Sequence, residues 1–249
     1  MDEFKEERET LKHADFKTKW DYFWEYNKTR TIIICMFAFL VIAYIHSVLT
    51  AKEDAIFISL LNSVPGDQES IYNLEEDFAE YAGIDTDEYE VVLDASITLS
   101  DSGLGQAVSD SVQRLTAYIA SAKIDVIVGG SDLFVTEANQ GIFADLRTIL
   151  TEEQLAAYEP YFYYVDQAHV DMIKKPEYLL DITKELPEAP DPTKPEEMEN
   201  PIPVGLFVSH LDKISDAYYF SGDYSALGVL LNAPHPEKAL QFVDYVFEQ

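Results

Sequence analysis

Residues 123–150 read KIDVIVGGSDLFVTEANQGIFADLRTIL. Ile124–Val128 is a short apolar run of strand type, and it ends abruptly in Gly129-Gly130-Ser131-Asp132, the composition of a turn into a helix. The same alternation extends upstream. Ala55–Asn62 (AIFISLLN) is an apolar run of strand length closed by the turn signal Ser63-Val64-Pro65-Gly66. Over Ser70–Tyr81, Ile71, Leu74, Phe78 and Tyr81 recur at helical spacing, with Gly83 as a stop. Tyr89–Ala95 predicts a second strand. Gly105–Ala122 predicts a helix with Val108, Val112, Leu115 and Ile119 on one face. Strands alternating with helices predict βαβ units, a parallel sheet and an α/β fold class.

Further upstream, Thr31–Thr50 (TIIICMFAFLVIAYIHSVLT) contains no Asp, Glu, Lys or Arg and is long enough to cross a bilayer as one helix. It lies too far from the start, behind a tail of mixed charge, to resemble a cleaved signal peptide, and it predicts a retained signal-anchor at the cell membrane. Lys17, Lys19, Lys28 and Arg30 precede it, whereas Lys52 is the only nearby base beyond it. That asymmetry predicts a cytoplasmic N-terminus and an extracellular C-terminal region. Phe16, Trp20, Phe23 and Trp24, with Tyr22 and Tyr26 beside them, form a helical stripe that suits the headgroup region; the other reading is a docking helix for a cytoplasmic partner. The expected organisation is a tail over 1–30, the membrane helix over 31–50 and an outer domain over 51–249.

The chain has 17 basic and 46 acidic residues, of which residues 1–30 hold 7 and 8, so the outer part carries 10 bases against 38 acids. Such a surface repels nucleic acid and anionic lipid, and neither is a predicted partner of the outer domain. Solubility accounts for the excess. Divalent-ion binding by Asp85, Asp87, Glu88 and Glu90, or by Glu196, Glu197 and Glu199, is the sharper alternative, but neither cluster has the spaced ligands and turn glycine of an EF-hand loop. No metal and no cofactor is predicted. Cys35, the single cysteine, sits in the apolar helix, so the outer domain must fold by its core alone.

Two stretches carry a resemblance. Lys123–Leu150, with its strand, Gly/Ser/Asp turn, helix and the spaced Gly141, Phe143 and Leu146, resembles a segment of the extracellular solute-binding proteins of ABC transporters, of the type-2 periplasmic-binding class. Ala226–Asn232 followed by APHPEKALQFVDYVFEQ resembles the late strand and helix of the same proteins. The tail with Lys19-Trp20 and Phe23-Trp24 ahead of one span also resembles single-pass membrane proteins of Gram-positive anaerobes. The resemblance implies one α/β lobe built from 53–150 and 203–249, on whose sheet Val229, Leu230 and Phe242 meet Ile56, Ile58 and Val126. Two-lobed members of that class need more residues than Thr151–Ile202 provides between these regions. A reduced second lobe or an insertion is therefore expected over 151–202, with a helix at Thr151–Tyr158, an aromatic run at Tyr161–Val165, a strand at Tyr178–Ile182 and a Pro/Glu-rich stretch after it.

In open α/β sheets ligands sit beyond the carboxyl ends of the parallel strands. Those ends supply Asn62, Ser96 and the group Gly129, Gly130, Ser131 and Asp132; Ser131 or Asp132 would either cap the next helix or bind a solute. Tyr219, Ser221 and Asp223, in YYFSGDY, make a second candidate lip, or else an exposed turn with its tyrosines packed at the base. No HExxH, GxSxG or phosphate-loop pattern occurs, and Gly103 and Gly105 lack the third glycine of a dinucleotide fingerprint, so no enzyme is predicted. Two expectations remain: a tethered receptor presenting a small molecule or peptide to a transporter, and a non-catalytic interaction module that lost the cleft and assembles with another membrane protein.

Overall fold

The computed structural model describes residues 15–50, 52–99, 106–179 and 186–248, in two compact units, Met1–Ala51 and Lys52–Gln249. Gly103, Gly105 and residues 180–182 of the expected strand lie outside the described residues.

Among the described residues of the first unit one helix, α1, runs from Phe16 to Leu49. No Gly or Pro interrupts it, so the tail and the apolar run, expected to be divided at residue 30, form one rod. Its start is capped by Asp15, whose carboxylate accepts the Thr18 N–H at 3.2 Å. Within α1, Asn27–Val48 has a mean hydropathy of 2.3 and is long and apolar enough to cross a bilayer. The aromatic stripe stacks along the rod, with Phe16–Trp20, Trp20–Phe23 and Trp20–Trp24 ring centroids 6.3, 6.1 and 6.2 Å apart.

In the second unit the chain runs β1 (Glu53–Leu61), β2 (Val64–Pro65), α2 (Gln68–Tyr81), β3 (Tyr89–Asp94), α3 (Gln106–Ala120), β4 (Val126–Gly130) and α4 (Ser131–Asn139). It continues through α5 (Glu152–Tyr158), β5 (Phe162–Asp166), β6 (Pro201–Phe207), β7 (Tyr218–Tyr219), β8 (Ser225–Val229) and α6 (Pro236–Phe247), with shorter helical turns between. Six strands form one sheet in the order β3-β1-β4-β8-β6-β5. Among the described residues parallel pairing is confined to β3 with β1 and β1 with β4. The expected all-parallel sheet is therefore corrected to a mixed one, because β8, β6 and β5 pair antiparallel to their neighbours. The segment between β6 and β8 returns the chain without a crossover helix long enough to reverse it into parallel alignment.

Residues 151–202 add β5 to the edge of this same sheet, and the expected strand at Tyr178–Ile182 begins instead as a helical turn, Pro176–Leu179. Pro176 at the first helical position is pre-set for that turn. Thr151 and Gln154 cap α5 reciprocally.

The sheet is covered on both faces, which is why its central strands read as unbroken apolar runs. Alternation along β1 sends Ile56, Ile58 and Leu60 to one core with Val126, Val229, Phe78 and Phe242, and Phe57 and Leu61 to the other with Ile127, Leu115 and Phe134. Val229 pairs in register with Val126. Leu230, one residue on, belongs to the second core and not to the group around Ile56, since successive strand side chains point to opposite faces.

At the starting end of the parallel strands sits Asp125, fully buried. Its carboxylate accepts the N–H of Phe57 at 2.9 Å and of His235 at 2.6 Å, and the His235 Nδ1 lies 3.1 Å from Oδ2. Its own N–H and C=O bond to Phe57 and Leu230. One residue thus clamps β1, β4, the end of β8 and the start of α6.

Candidate functional site

The carboxyl ends of β1, β3 and β4 lie together at one edge of the sheet, joined there by the start of β8 and the end of β6, because Ser225 pairs with Gly130 and Phe207 with Ala226. The sequence-derived candidates separate into two groups at this edge.

Asn62 and Ser96 are committed to the fold. Asn62, at φ 50°, donates through Nδ2 to the Leu99 carbonyl at 2.7 Å and accepts the Leu99 N–H through Oδ1. Ser96 is held by the Arg114 guanidinium at 2.9 Å. Both pin the segment after β3.

Gly129, Gly130, Ser131 and Asp132 meet the loop of Tyr219, Ser221 and Asp223. Gly129 and Gly130 are the last residues of β4, not a turn beyond it, and the helix begins at once with Ser131. The helix carries no side-chain cap, and Gly130 occupies the cap position. The capping role open to Ser131 or Asp132 is therefore not taken. Ser131 Oγ instead accepts the Asp223 N–H at 3.2 Å and lies 3.2 Å from Asp132 Oδ1. The two lips are interlocked through glycine. A Cβ on Gly130 would lie 1.9 Å from the Ser221 carbonyl oxygen, and one on Gly222, at φ 98°, would lie 2.0 Å from Ser131 Oγ. The loop thus seats its backbone where a solute would approach the end of β4.

We expect Gly130→Ala to force these elements apart and to lower stability by about 2 kcal/mol, in the range of overpacking at a rigid contact. Amide hydrogen exchange should rise selectively over 219–224. Unchanged protection there would show that the loop tolerates the methyl.

Beside this contact lies a cleft of about 200 Å³ lined by Ser209, Ser215, Tyr218, Tyr219, Tyr224 and Ser225, with Gly222 and Asp223 at its lip. Ser209 Oγ accepts the Ser225 N–H at 2.6 Å. Burial pushes the Tyr218 hydroxyl up to about 12 and raises that of Tyr224, so both stay protonated and present neutral O–H groups. Tyr219 is 60% exposed on the short β2–β7 ribbon. A cleft of hydroxyls with one exposed carboxylate suits a small, polar solute that is neutral or positively charged. The sequence analysis does not single out Ser209, Ser215 or Ser225; Ser209 and Ser225 come to this edge through the antiparallel pairing of β6 with β8, and Ser215 through the helical turn Asp212–Ser215. Among the described residues no three His, Cys, Asp or Glu side chains converge as a metal site.

No protein-family model and no curated protein matches the sequence. Two solved structures are similar to this chain. One is the ABC substrate-binding protein Lmo0181 from Listeria monocytogenes in complex with cycloalternan, at 11% identity and a TM-score of 0.34, covering 79% of this chain and 75% of that one. The other is iron-bound HitA from Pseudomonas aeruginosa, at 12% identity and a TM-score of 0.35, covering 78% and 81%.

Proposed function

We propose that this chain is a membrane-tethered, non-enzymatic binding protein that holds a small polar molecule or short peptide at the outer face of the cell membrane and presents it to a transporter. The observation that carries this reading is the hydroxyl-lined cleft at the edge of the sheet where the parallel strands end, with Asp223 at its lip. Support for the tether comes from α1, which is apolar over Asn27–Val48, with its bases concentrated on the N-terminal side. The test is a thermal-shift screen of the purified chain against pooled sugars, amino acids, oligopeptides and metal ions. A ligand that binds only the folded state at about a hundred times its dissociation constant adds about 2.7 kcal/mol. The expected result is a reproducible upward shift with one pool, lost in Asp223→Ala.

A second reading has its own observation. The Ser221 carbonyl packed over Gly130 fills the crevice at the end of β4, and Tyr219 stands exposed beside it. Both suit an interaction module that kept the fold and docks on another membrane protein. A flat screen, together with a co-purifying membrane partner that Tyr219→Ala releases, is the outcome this reading requires.

A further inference from the structure

On the face of the sheet covered by α3 and α4, a groove of about 350 Å³ opens between the two helices. Its walls are mostly aliphatic, with Leu99, Val112, Leu115, Ile119 and Ile142, and Thr116 and Gln140 also line it. Lining the same groove is Glu137, which is 94% buried, its relative exposure being 6%. It stands one helical turn from Phe134 on α4, where Phe134, Ala138 and Asn139 are the other buried residues. Its carboxyl has no hydrogen-bond or ion-pair partner among the described residues, and no other described residue lining the groove is titratable. A carboxyl largely removed from water, with its oxygens open only to the groove, is costly to keep ionised unless a cation pairs with it there.

We propose that this groove is a binding site for a small organic ammonium ligand, its cationic nitrogen donating to the Glu137 carboxylate and its hydrocarbon part lying along Val112, Leu115 and Ile119. The volume is at the lower end of small-molecule sites, and the composition, a mostly apolar trough with a few polar groups of which Glu137 alone can carry charge, is that of a site which fixes orientation through few contacts. Charge complementarity selects an ammonium: a carboxylate in an apolar wall repels an anion and gains a charge-assisted bond only from a cation. The groove shares no lining residue with the cleft at Asp223, so this site stands whether or not that cleft binds a solute.

The test is calorimetric titration of the full-length chain, held in zwitterionic lipid nanodiscs, with hexylammonium, hexan-1-ol and hexanoate at about pH 8, where Glu137 is ionised, with empty nanodiscs subtracted. Hexylammonium is expected to bind saturably and at least tenfold more tightly than hexan-1-ol, and hexanoate to show no saturable binding. Glu137→Gln should weaken hexylammonium at least tenfold while leaving hexan-1-ol within about twofold. Val112 is half exposed at the groove wall, so Val112→Trp fills the groove from the solvent side and should abolish binding of both probes. This second variant decides the matter if Glu137→Gln does not fold. Absence of saturable hexylammonium binding, equal binding of hexanoate, or binding that neither variant changes would overturn the site.

Discussion

Replacing Asp125 by Ala is expected to lower the stability of the Lys52–Gln249 unit by about 4 kcal/mol, since two backbone donors lose a buried acceptor at about 2 kcal/mol each. The reason is what remains behind. The N–H groups of Phe57 and His235 stay in place with no acceptor, inside a region where Asp125 itself has no exposure. Asn at the same position keeps an acceptor oxygen for one of them and should cost roughly half as much. His235→Ala should cost about 1 kcal/mol, because its backbone N–H to Asp125 survives and only the ring contact is lost. Urea unfolding followed by tyrosine signals separates the variants, the only tryptophans, Trp20 and Trp24, lying in the other unit. A midpoint for Asp125→Ala within error of the parent at unchanged slope would show that the clamp carries no weight.

The second large effect is a dependence of stability on pH through Glu137. Burial raises its carboxyl from the ordinary value of 4.5 to about 7, with no neighbouring charge contributing. The folded state therefore holds this proton over a window in which the unfolded chain has released it. The stabilisation is complete below about 4.5 and is lost as pH rises to about 7, amounting to about 3 kcal/mol across the window. Glu137→Gln removes the titration, so its stability minus that of the parent should grow between pH 5 and pH 7 and level off above. Because the comparison is a difference between two chains that share every other carboxylate, the acidic background cancels. A difference that does not change with pH would mean that Glu137 is solvated.

The local elements were legible in the sequence because each is announced within a dozen residues. Ile56, Ile58 and Leu60 mark β1, the spacing of Leu74 and Phe78 marks α2, and Thr151 with Gln154 marks the start of α5. What escaped depends on residues far apart in the chain. Asp125 and His235 are each a lone polar residue in sequence, and only the meeting of β4 with the start of α6 pairs them. The strand direction of β8 was hidden because an apolar run such as ALGVLLN has no polarity that would reveal its sense. Gly130 admits the Ser221 backbone, a contact no local pattern announces. Glu137 did leave a trace: it falls one turn from both Leu133 and Phe134, a charged residue on an otherwise apolar helical face.

The strand order carries a consequence for how this chain is made. Between β4 and β6 stands β8, the strand synthesised last, so after β1, β3 and β4 have emerged their growing sheet still ends in the bare edge of β4. That edge, Val126–Gly130, is apolar and unpaired until Ser225–Val229 arrive, and in the interval it is a template for any other extended chain. Pairings of such long sequence separation also form slowly. Until β8 arrives the β4 edge stays open, so a factor that shields one strand edge would protect the incomplete sheet more directly than one that speeds local folding.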